Sequence, residues 1–389
     1  MEAVRGSDSV LVRDVPVTRM RKPGGVMQRH RKNYPFVFLL AVLLSIPSVS
    51  LARDAEELWM EMNRLNPKER EKKLVEGAKR EGLLNWYGNI EMTTMGSLNG
   101  AFQRKNPFVK CEYWRGSGAK LIDRILLEAR SKKLDADAFF LPFESITTLR
   151  KEKVLARYVS PEKRFYSPDA VDKEGNWAAV AVNLAAIAYN TKLVSPAQAP
   201  KSYEELLDAR WSGEISIDME PDRAILGWLK TWGEKKTAAF IRGLVNNRVI
   251  VRRGHTLQTQ LLCAGEFKVA SELYAYRVIQ MKHERGCPVE TLYANPVSGS
   301  VTPVALARQA PHPHAAALFM DFVLSEEGQK IAVESGRIPT RKGVKAKYEE
   351  ISNLQERGIP IVFVTPEDAE RWEKVSSRLV NEVLIRKQK

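Results

Sequence analysis

The sequence predicts an α/β fold of two lobes joined by extended strands, and three observations carry that reading. Short apolar runs alternate with amphipathic stretches from about residue 83; the alternation comes in two separate sets; and two long apolar stretches rich in Val, Ala and Thr connect the sets. A chain of 389 residues, 44% of them hydrophobic, has enough apolar side chain for about two such units.

The first 52 residues stand apart from this pattern. Met27 opens the basic stretch "MQRHRKNY", the apolar run "PFVFLLAVLLSIP" follows, and Ser50-Leu51-Ala52 places small residues where a signal peptidase reads. The run is shorter than the roughly 20 apolar residues of a bilayer span, so a cleaved export signal starting at Met27 is expected rather than an anchor. No cysteine lies near residue 52 to carry a lipid.

In the first set, "LLNWYGNI", "VKCEYW" and "ADAFFLP" read as strands, separated by the helical stretches "TTMGSLNGAFQRKN" and "GAKLIDRILLEARSKK". Strand, helix, strand order implies parallel pairing. The connecting stretch "WAAVAVNLAAIAYN" follows. The second set holds the strands "EISIDM", "RVIVRRG" and "FKVASEL" and the helices "RAILGWLKTWGEKKTAAFIRGLV", "HTLQTQLLCAG" and "YAYRVIQMKHERG". "VSGSVTPVALARQ" connects back.

"PHPHAAALFMDFVLSEEGQ" (311–329) comes next, with two histidines between prolines. Pro313 suits a first helical position, where its missing N–H leaves nothing unbonded. Ala315, Leu318, Phe319, Phe322 and Val323 then form one helix face, and Ser325 with Glu326 and Glu327 starts a second helix ending near Gly336. His312 and His314 are therefore read as scaffold at a helix start, and their replacement by Ala is expected to cost about 1 kcal/mol or less.

The chain carries 61 basic and 47 acidic residues; without residues 1–52 the balance is 53 against 44, or +9. These charges are interleaved, as in "PKEREKKLVEGAKREG", which reads as solvated helix faces and not as a nucleic-acid surface. Three cysteines permit at most one disulfide: Cys263 and Cys287 are able to pair in an oxidising compartment, and Cys111, in a strand-like run, reads as a buried free thiol. No cysteine or histidine has metal-site spacing.

The order of elements, together with "EGAKREGLLNWYG", "AIAYNTKLV", "PKSYEELLDARWSGEISI" and "APHPHAAALFMDFVLSEEGQ", resembles the extracellular solute-binding proteins of bacterial ABC importers, in their ferric-iron-type branch. The resemblance runs from about residue 70 to the end. It implies the type 2 periplasmic-binding-protein fold, with a ligand cleft between lobes joined by hinge strands. It also implies a monomeric periplasmic receptor without catalysis or cofactor, which captures a small organic anion or ferric iron by lobe closure and delivers it to an ABC permease in the inner membrane. The expected segments are the leader 1–52, lobe 1 over 53–182, lobe 2 over 183–302, a lobe 1 return over 303–348, and C-terminal helices of lobe 2 over 349–389. A sensory receptor without transport, or a cysteine-dependent enzyme on this fold, are the rival classes.

Ligands of open α/β sheets lie beyond the carboxyl ends of strands. That rule selects Gly116, Ser117 and Gly118 in "WRGSGAKL", a helix start able to offer N–H groups to an anion, although Leu121 replaces the third glycine of a dinucleotide fingerprint. It also selects Glu144 and Ser145 in "LPFESI", Glu220 and Asp222 in "DMEPDRAIL", and Gly254, His255 and Thr256 in "RRGHTLQ". Tyr87, beside the first strand, is either a cleft wall or core packing. Tyr274 and Tyr276 in "SELYAY" correspond to the adjacent tyrosines that supply phenolate oxygens in ferric-binding members. Here an alanine separates them, and residues two apart on a helix point about 200° from one another, so both face one metal ion only if Tyr274 precedes the helix. Small organic anion is accordingly preferred to Fe(III) as the cargo.

Overall fold

The computed structural model describes residues 55–385 apart from Ser117, Asn353 and Gln355. The expected leader lies outside the described residues, and among these no helix is long and apolar enough to cross a membrane.

Two helices open the described chain, α1 (Ala55–Met62) and α2 (Pro67–Glu81). The sequence specifies both ends of α2: the Asn66 side chain accepts from the Glu69 N–H at 3.0 Å, Pro67 sits at the first turn, and Gly82 closes the helix at a φ of 69°. The first set follows as β1 (Leu83–Gly88), α3 (Met92–Lys105), β2 (Lys110–Arg115), α4 (Gly118–Arg130), β3 (Ala138–Phe140) and α5 (Phe143–Lys151). β4 (Ala178–Asn190) leads into the second set: β5 (Ile215–Asp218), α6 (Asp222–Asn246), β6 (Ile250–Arg252), α7 (His255–Ala264), β7 (Val269–Tyr274), α8 (Ala275–Arg285) and β8 (Val289–Leu292). β9 (Val297–Leu306) returns to α9 (Pro313–Leu324), α10 (Glu326–Ala332), β10 (Ile338–Pro339), β11 (Ile361–Val364) and α11 (Pro366–Arg378). The long helical stretch predicted in the second set is broken at Gly233, whose φ of 76° and ψ of 174° interrupt α6.

The strands form a sheet in the order β2-β1-β3-β9-β4-β7-β5-β6, with β8 and β10 also on β4 and β11 on β9. Pairing is parallel within β2, β1 and β3 and within β6, β5 and β7, as the strand-helix alternation requires. Between these two parallel groups, β4 and β9 run antiparallel from Ala178↔Val304 to Ala185↔Ser298. β9 pairs with β3 through residues 304–306, and β4 turns to β7 from Ala185 onward. The two predicted connecting stretches are thus the hinge strands of a two-lobed molecule. Every residue of β4 is buried, which its continuous apolar run anticipated.

Each lobe has an aromatic core. Trp86, Phe140, Phe102 and Phe319 meet at centroid distances of 4.9–5.4 Å in the first, and Trp228 stacks on Trp232 at 6.0 Å with Tyr203 and Phe240 edge-on in the second. α11 packs against both α5 and α6. Arg150 of α5 bonds Glu367 and Glu370, while Lys230 of α6 bonds Asp368, so the C-terminal segment touches elements of both lobes.

His312 and His314 stand at the start of α9 as expected, but their acid partners point to a cost above the expected figure of about 1 kcal/mol. His312 Nδ1 lies 2.9 Å from Oδ2 of Asp137, a fully buried carboxylate that also accepts from the His312 and Asn85 N–H groups. His314 Nδ1 pairs with Glu81, which also caps the Ala315 N–H at 2.8 Å. Each histidine therefore holds one acid against the helix start, and removing His312 leaves a buried charge short of a partner. Cys263 and Cys287 form a disulfide with Cα atoms 5.3 Å apart, tying α7 to the segment after α8. Cys111 is free and half-buried.

Candidate functional site

The carboxyl end of β7 builds the center of the cleft. Tyr274 is the last residue of that strand, with extended φ and ψ of −65° and 112°, and α8 begins only at Ala275. The condition set by helix geometry is met. The Tyr274 and Tyr276 rings stack, with centroids 5.9 Å apart and planes 16° from parallel. Tyr274 also packs against the His255 ring, with centroids 3.9 Å apart.

Three arginines surround the stack. Arg223, in the first turn of α6, donates to the Tyr274 hydroxyl and directs Nε to Glu144 Oε1 at 3.4 Å across from α5. Burial pushes the Tyr274 phenol up to about 12 although Arg223 works against the shift. For Arg223, burial acts to lower its pKa, but Tyr274 and Glu144 outweigh it and the guanidinium stays charged. Arg337 lies 5.0 Å over the Tyr276 ring, and its fork grips Glu91 with Nη2–Oε1 at 2.7 Å and Nη1–Oε2 at 3.0 Å while Nε donates to Asn183 of β4. Burial favours the neutral form of Glu91, yet the bidentate Arg337 pair overrides it and lowers the pKa. Arg277 lies 5.5 Å from the Tyr276 ring and donates to Gln280; its Nε is buried and has no acceptor among the described residues.

His255 is the neutral member of the group. Burial, with Arg223 nearby, lowers its pKa to about 4 against the pull of Asp218. Its Nδ1 is 3.7 Å from Glu272 Oε2, too far for a hydrogen bond, and is buried without one.

Beside Tyr276 a recess of about 350 Å³ opens between the lobes. Thr93, Thr94 and Ser97 of α3 form one wall, and Tyr276, Arg277 and Gln280 of α8 form the other. The α3 helix is 14 residues long, no side chain caps it, and Glu91, Thr93 and Thr94 at its positive dipole end line the recess.

The residues selected from the sequence fall into three groups. Glu144, His255, Tyr274 and Tyr276 come together in the cleft. Gly116 and Gly254 do not offer the N–H groups expected of them: the Gly116 N–H continues the ladder to Gly88 O at 3.0 Å, and the Gly254 N–H bonds Asp218 Oδ2 at 2.7 Å. Gly116 is required because a Cβ there would stand 2.4 Å from the Trp114 ring. Glu220 is also corrected, since it pairs with Arg253 at 2.8 Å on the surface with a side chain 66% exposed. Tyr87 is core, its hydroxyl held between Glu128 and Arg124 at 3.1 Å each. Thr256 is exposed, the Ser145 N–H closes a turn to Pro142 O, Gly118 and Asp222 are the first residues of α4 and α6, and Ser117 lies outside the described residues. Arg223, Arg277, Arg337, Glu91 and the start of α3 were not selected. The signal available for α3 was the same as for the other loops, a strand end followed by a helix start in "NIEMTTM".

Burial pushes the Cys111 thiol up to about 12, away from the thiolate form a nucleophile needs, and the other two cysteines are bonded to each other. No group of three or more His, Cys, Asp or Glu side chains suited to a metal ion occurs among the described residues.

Among known proteins, iron uptake protein A1 of Synechocystis is 24% identical over 295 residues, covering 67% of this chain and 76% of that protein. Iron-bound HitA from Pseudomonas aeruginosa superimposes with a TM-score of 0.67 at 22% identity, over 76% of this chain and 99% of that one. Trichodesmium IdiA (FutA) with iron and citrate gives 0.66 at 20% identity, over 78% and 99%. AfuA from Actinobacillus pleuropneumoniae with fructose-6-phosphate bound gives 0.65, also at 20% identity and with the same coverage. These likenesses carry the fold, and the model of one family, bacterial extracellular solute-binding protein, matches residues 144–357, more than half of the chain. The chain belongs to the bacterial extracellular solute-binding proteins and has their two-lobed type 2 binding fold.

Proposed function

We propose that this chain is the periplasmic receptor of an ABC importer and that its cargo is a small organic anion, bound between the lobes and passed to an inner-membrane permease. The recess beside Tyr276 is the observation that carries the reading. At about 350 Å³ it holds roughly ten water-sized groups, a molecule's worth of space rather than an ion's. Its polar lining includes hydroxyls, the start of α3 and Arg277 with an orphaned Nε, which favour an anionic acceptor, beside Gln280 and the acids Glu91 and Glu334. Glu91 is already neutralised by Arg337. The expected lobe boundaries at 182/183 and 302/303 fall within the β4–β9 pairing, where Val182 faces Val301 and Ala181 faces Thr302, and closure is assigned to these strands.

Ferric iron is the second reading. The stacked tyrosine pair favours it, as do the iron uptake relative and the iron-bound neighbours. Against it, Fe(III) needs several anionic oxygens, whereas no group of three or more His, Cys, Asp or Glu side chains suited to a metal ion occurs among the described residues and the Tyr274 hydroxyl is already bonded by Arg223. The deciding experiment titrates the protein with Fe(III), with and without citrate, while following tyrosinate-to-iron absorption, and then screens carboxylates and phosphate esters by thermal shift. Stabilisation of several degrees by one organic anion, without colour, is the expected result. A coloured complex lost on Tyr274→Phe establishes iron instead.

A further inference from the structure

A second recess, of about 310 Å³, is built on the strands that edge the hinge. Its apolar floor is Val182 of β4, Ile338 of β10 and Ile361 and Phe363 of β11. β10 pairs with β4 at residues 181 and 182, and β11 pairs with β9 over 297–300, so both hinge strands carry part of this floor.

The rim is the loop "TRKGVKA" over 340–346, with Arg341, Lys342 and Lys345. The loop is preformed: Gln329 Oε1 accepts from the Thr340 and Arg341 N–H groups at 3.3 Å each, and the Lys342 N–H donates to Phe165 O at 2.9 Å. Arg341 lies 3.8 Å over the Phe165 ring, and its Nη2 pairs with Glu162 at 2.9 Å. Its Nε and Nη1, however, are buried with no acceptor among the described residues, and the side chain is only 10% exposed. Lys342 and Lys345 are exposed and, among the described residues, join no ion pair. One acid, Glu356, stands among the lining residues against these three cations.

An apolar floor under a rim that carries two exposed lysines selects for two properties at once. We propose that this recess is a second ligand site, distinct from the cleft beside Tyr276, for a free small amphipathic anion: an alkyl or aryl body bearing one phosphate or carboxylate group. The body covers Ile338, Ile361 and Phe363, and the head group meets Lys342 and Lys345.

Isothermal titration with octyl phosphate tests the assignment, with inorganic phosphate and 1-octanol as the two halves of the probe. One saturable site is expected, with each half binding at least about tenfold more weakly, since neither supplies both the apolar contact and the charge. The Lys342→Ala/Lys345→Ala variant, which changes exposed side chains, should keep its melting temperature and lose about tenfold in affinity for octyl phosphate. Arg277→Ala, in the cleft, should leave that affinity unchanged. Absence of a saturable site, equal binding of 1-octanol, an unchanged affinity in the lysine variant, or loss of binding in Arg277→Ala would each overturn the proposal.

Discussion

Two helix starts in this protein present a histidine to a buried acid, and they differ in nearly everything else. At the start of α9, His312 is bonded to Asp137 at 2.9 Å, and that bond, against the opposing effect of burial, raises the histidine pKa. At the start of α7, the His255 Nδ1 stands 3.7 Å from Glu272 Oε2, beyond hydrogen-bond reach, and burial lowers the histidine pKa to about 4. The first histidine completes a charge pair and closes a helix end; the second is kept neutral, has an orphaned Nδ1, and stacks on a tyrosine in the cleft. The two helix starts thus differ in whether the histidine Nδ1 has its acid within hydrogen-bond reach, a difference of less than 1 Å.

The two regions are also fastened differently, which gives the largest expected effect. α7 is anchored by the Cys263–Cys287 bond across a sequence separation of 24, whereas α9 is held by side-chain pairs and packing. Replacing both cysteines by serine should cost about 3 kcal/mol by the loop-closure argument. Denaturant unfolding checks this, and a loss below about 1 kcal/mol would mean that α7 is held by packing alone.

Next is His312→Ala, expected to cost about 2 to 3 kcal/mol because Asp137 stays buried and loses its charged partner. Binding of the cleft ligand should stay within twofold. A stability loss under 1 kcal/mol would make Asp137 able to protonate or rehydrate at no cost, and the contrast between the two histidines would weaken.

His255→Ala reverses the pattern. Its ring is stacked on Tyr274 and bonds nothing through Nδ1, so removing it should move the melting temperature by no more than about 2 °C, since little is left unpaired. Ligand affinity should fall about tenfold as Tyr274 loses the surface that orients it. Unchanged affinity would place His255 outside the site.

The same contrast marks how far the sequence could be read. Pro313 at a first turn, Ser325 as a cap and the apolar face of α9 are local signals, and each stands where the spacing placed it. The strand-helix alternation and the hinge strands were legible for the same reason. The tyrosine pair depended on a single residue, whether α8 starts at Tyr274 or Ala275, which is finer than sequence patterns resolve. Gly116 and Gly254 looked like anion cradles because the sequence shows a glycine but not the Gly88 or Asp218 oxygen that takes its N–H. Arg223, Arg277 and Arg337 come from α6, α8 and the segment before β10, and only folding brings them to one stack.

The pH dependence is the most diagnostic effect, because the two histidines should give contributions of opposite sign. The folded pKa of His255 is about 4, below the value near 6.5 expected of the unfolded chain, so between these limits the unfolded state binds more protons and stability rises with pH. His312 is raised by Asp137, so its contribution is fully present below about pH 6.5 and is lost as pH rises through the folded value. One proton sets the ceiling on either slope, about 1.4 kcal/mol per pH unit. Chemical denaturation of the native protein, His255→Gln and His312→Gln at intervals from pH 4 to 9 separates the two contributions. His255→Gln should flatten the rise between pH 4 and 6.5 and leave the alkaline limb alone. His312→Gln should instead remove the decline above pH 6.5, so that its deficit against the native protein is largest in acid and narrows toward pH 9. Matching curves for the two variants would show that both histidines titrate in the same environment, and the division between scaffold and site would have to be drawn elsewhere.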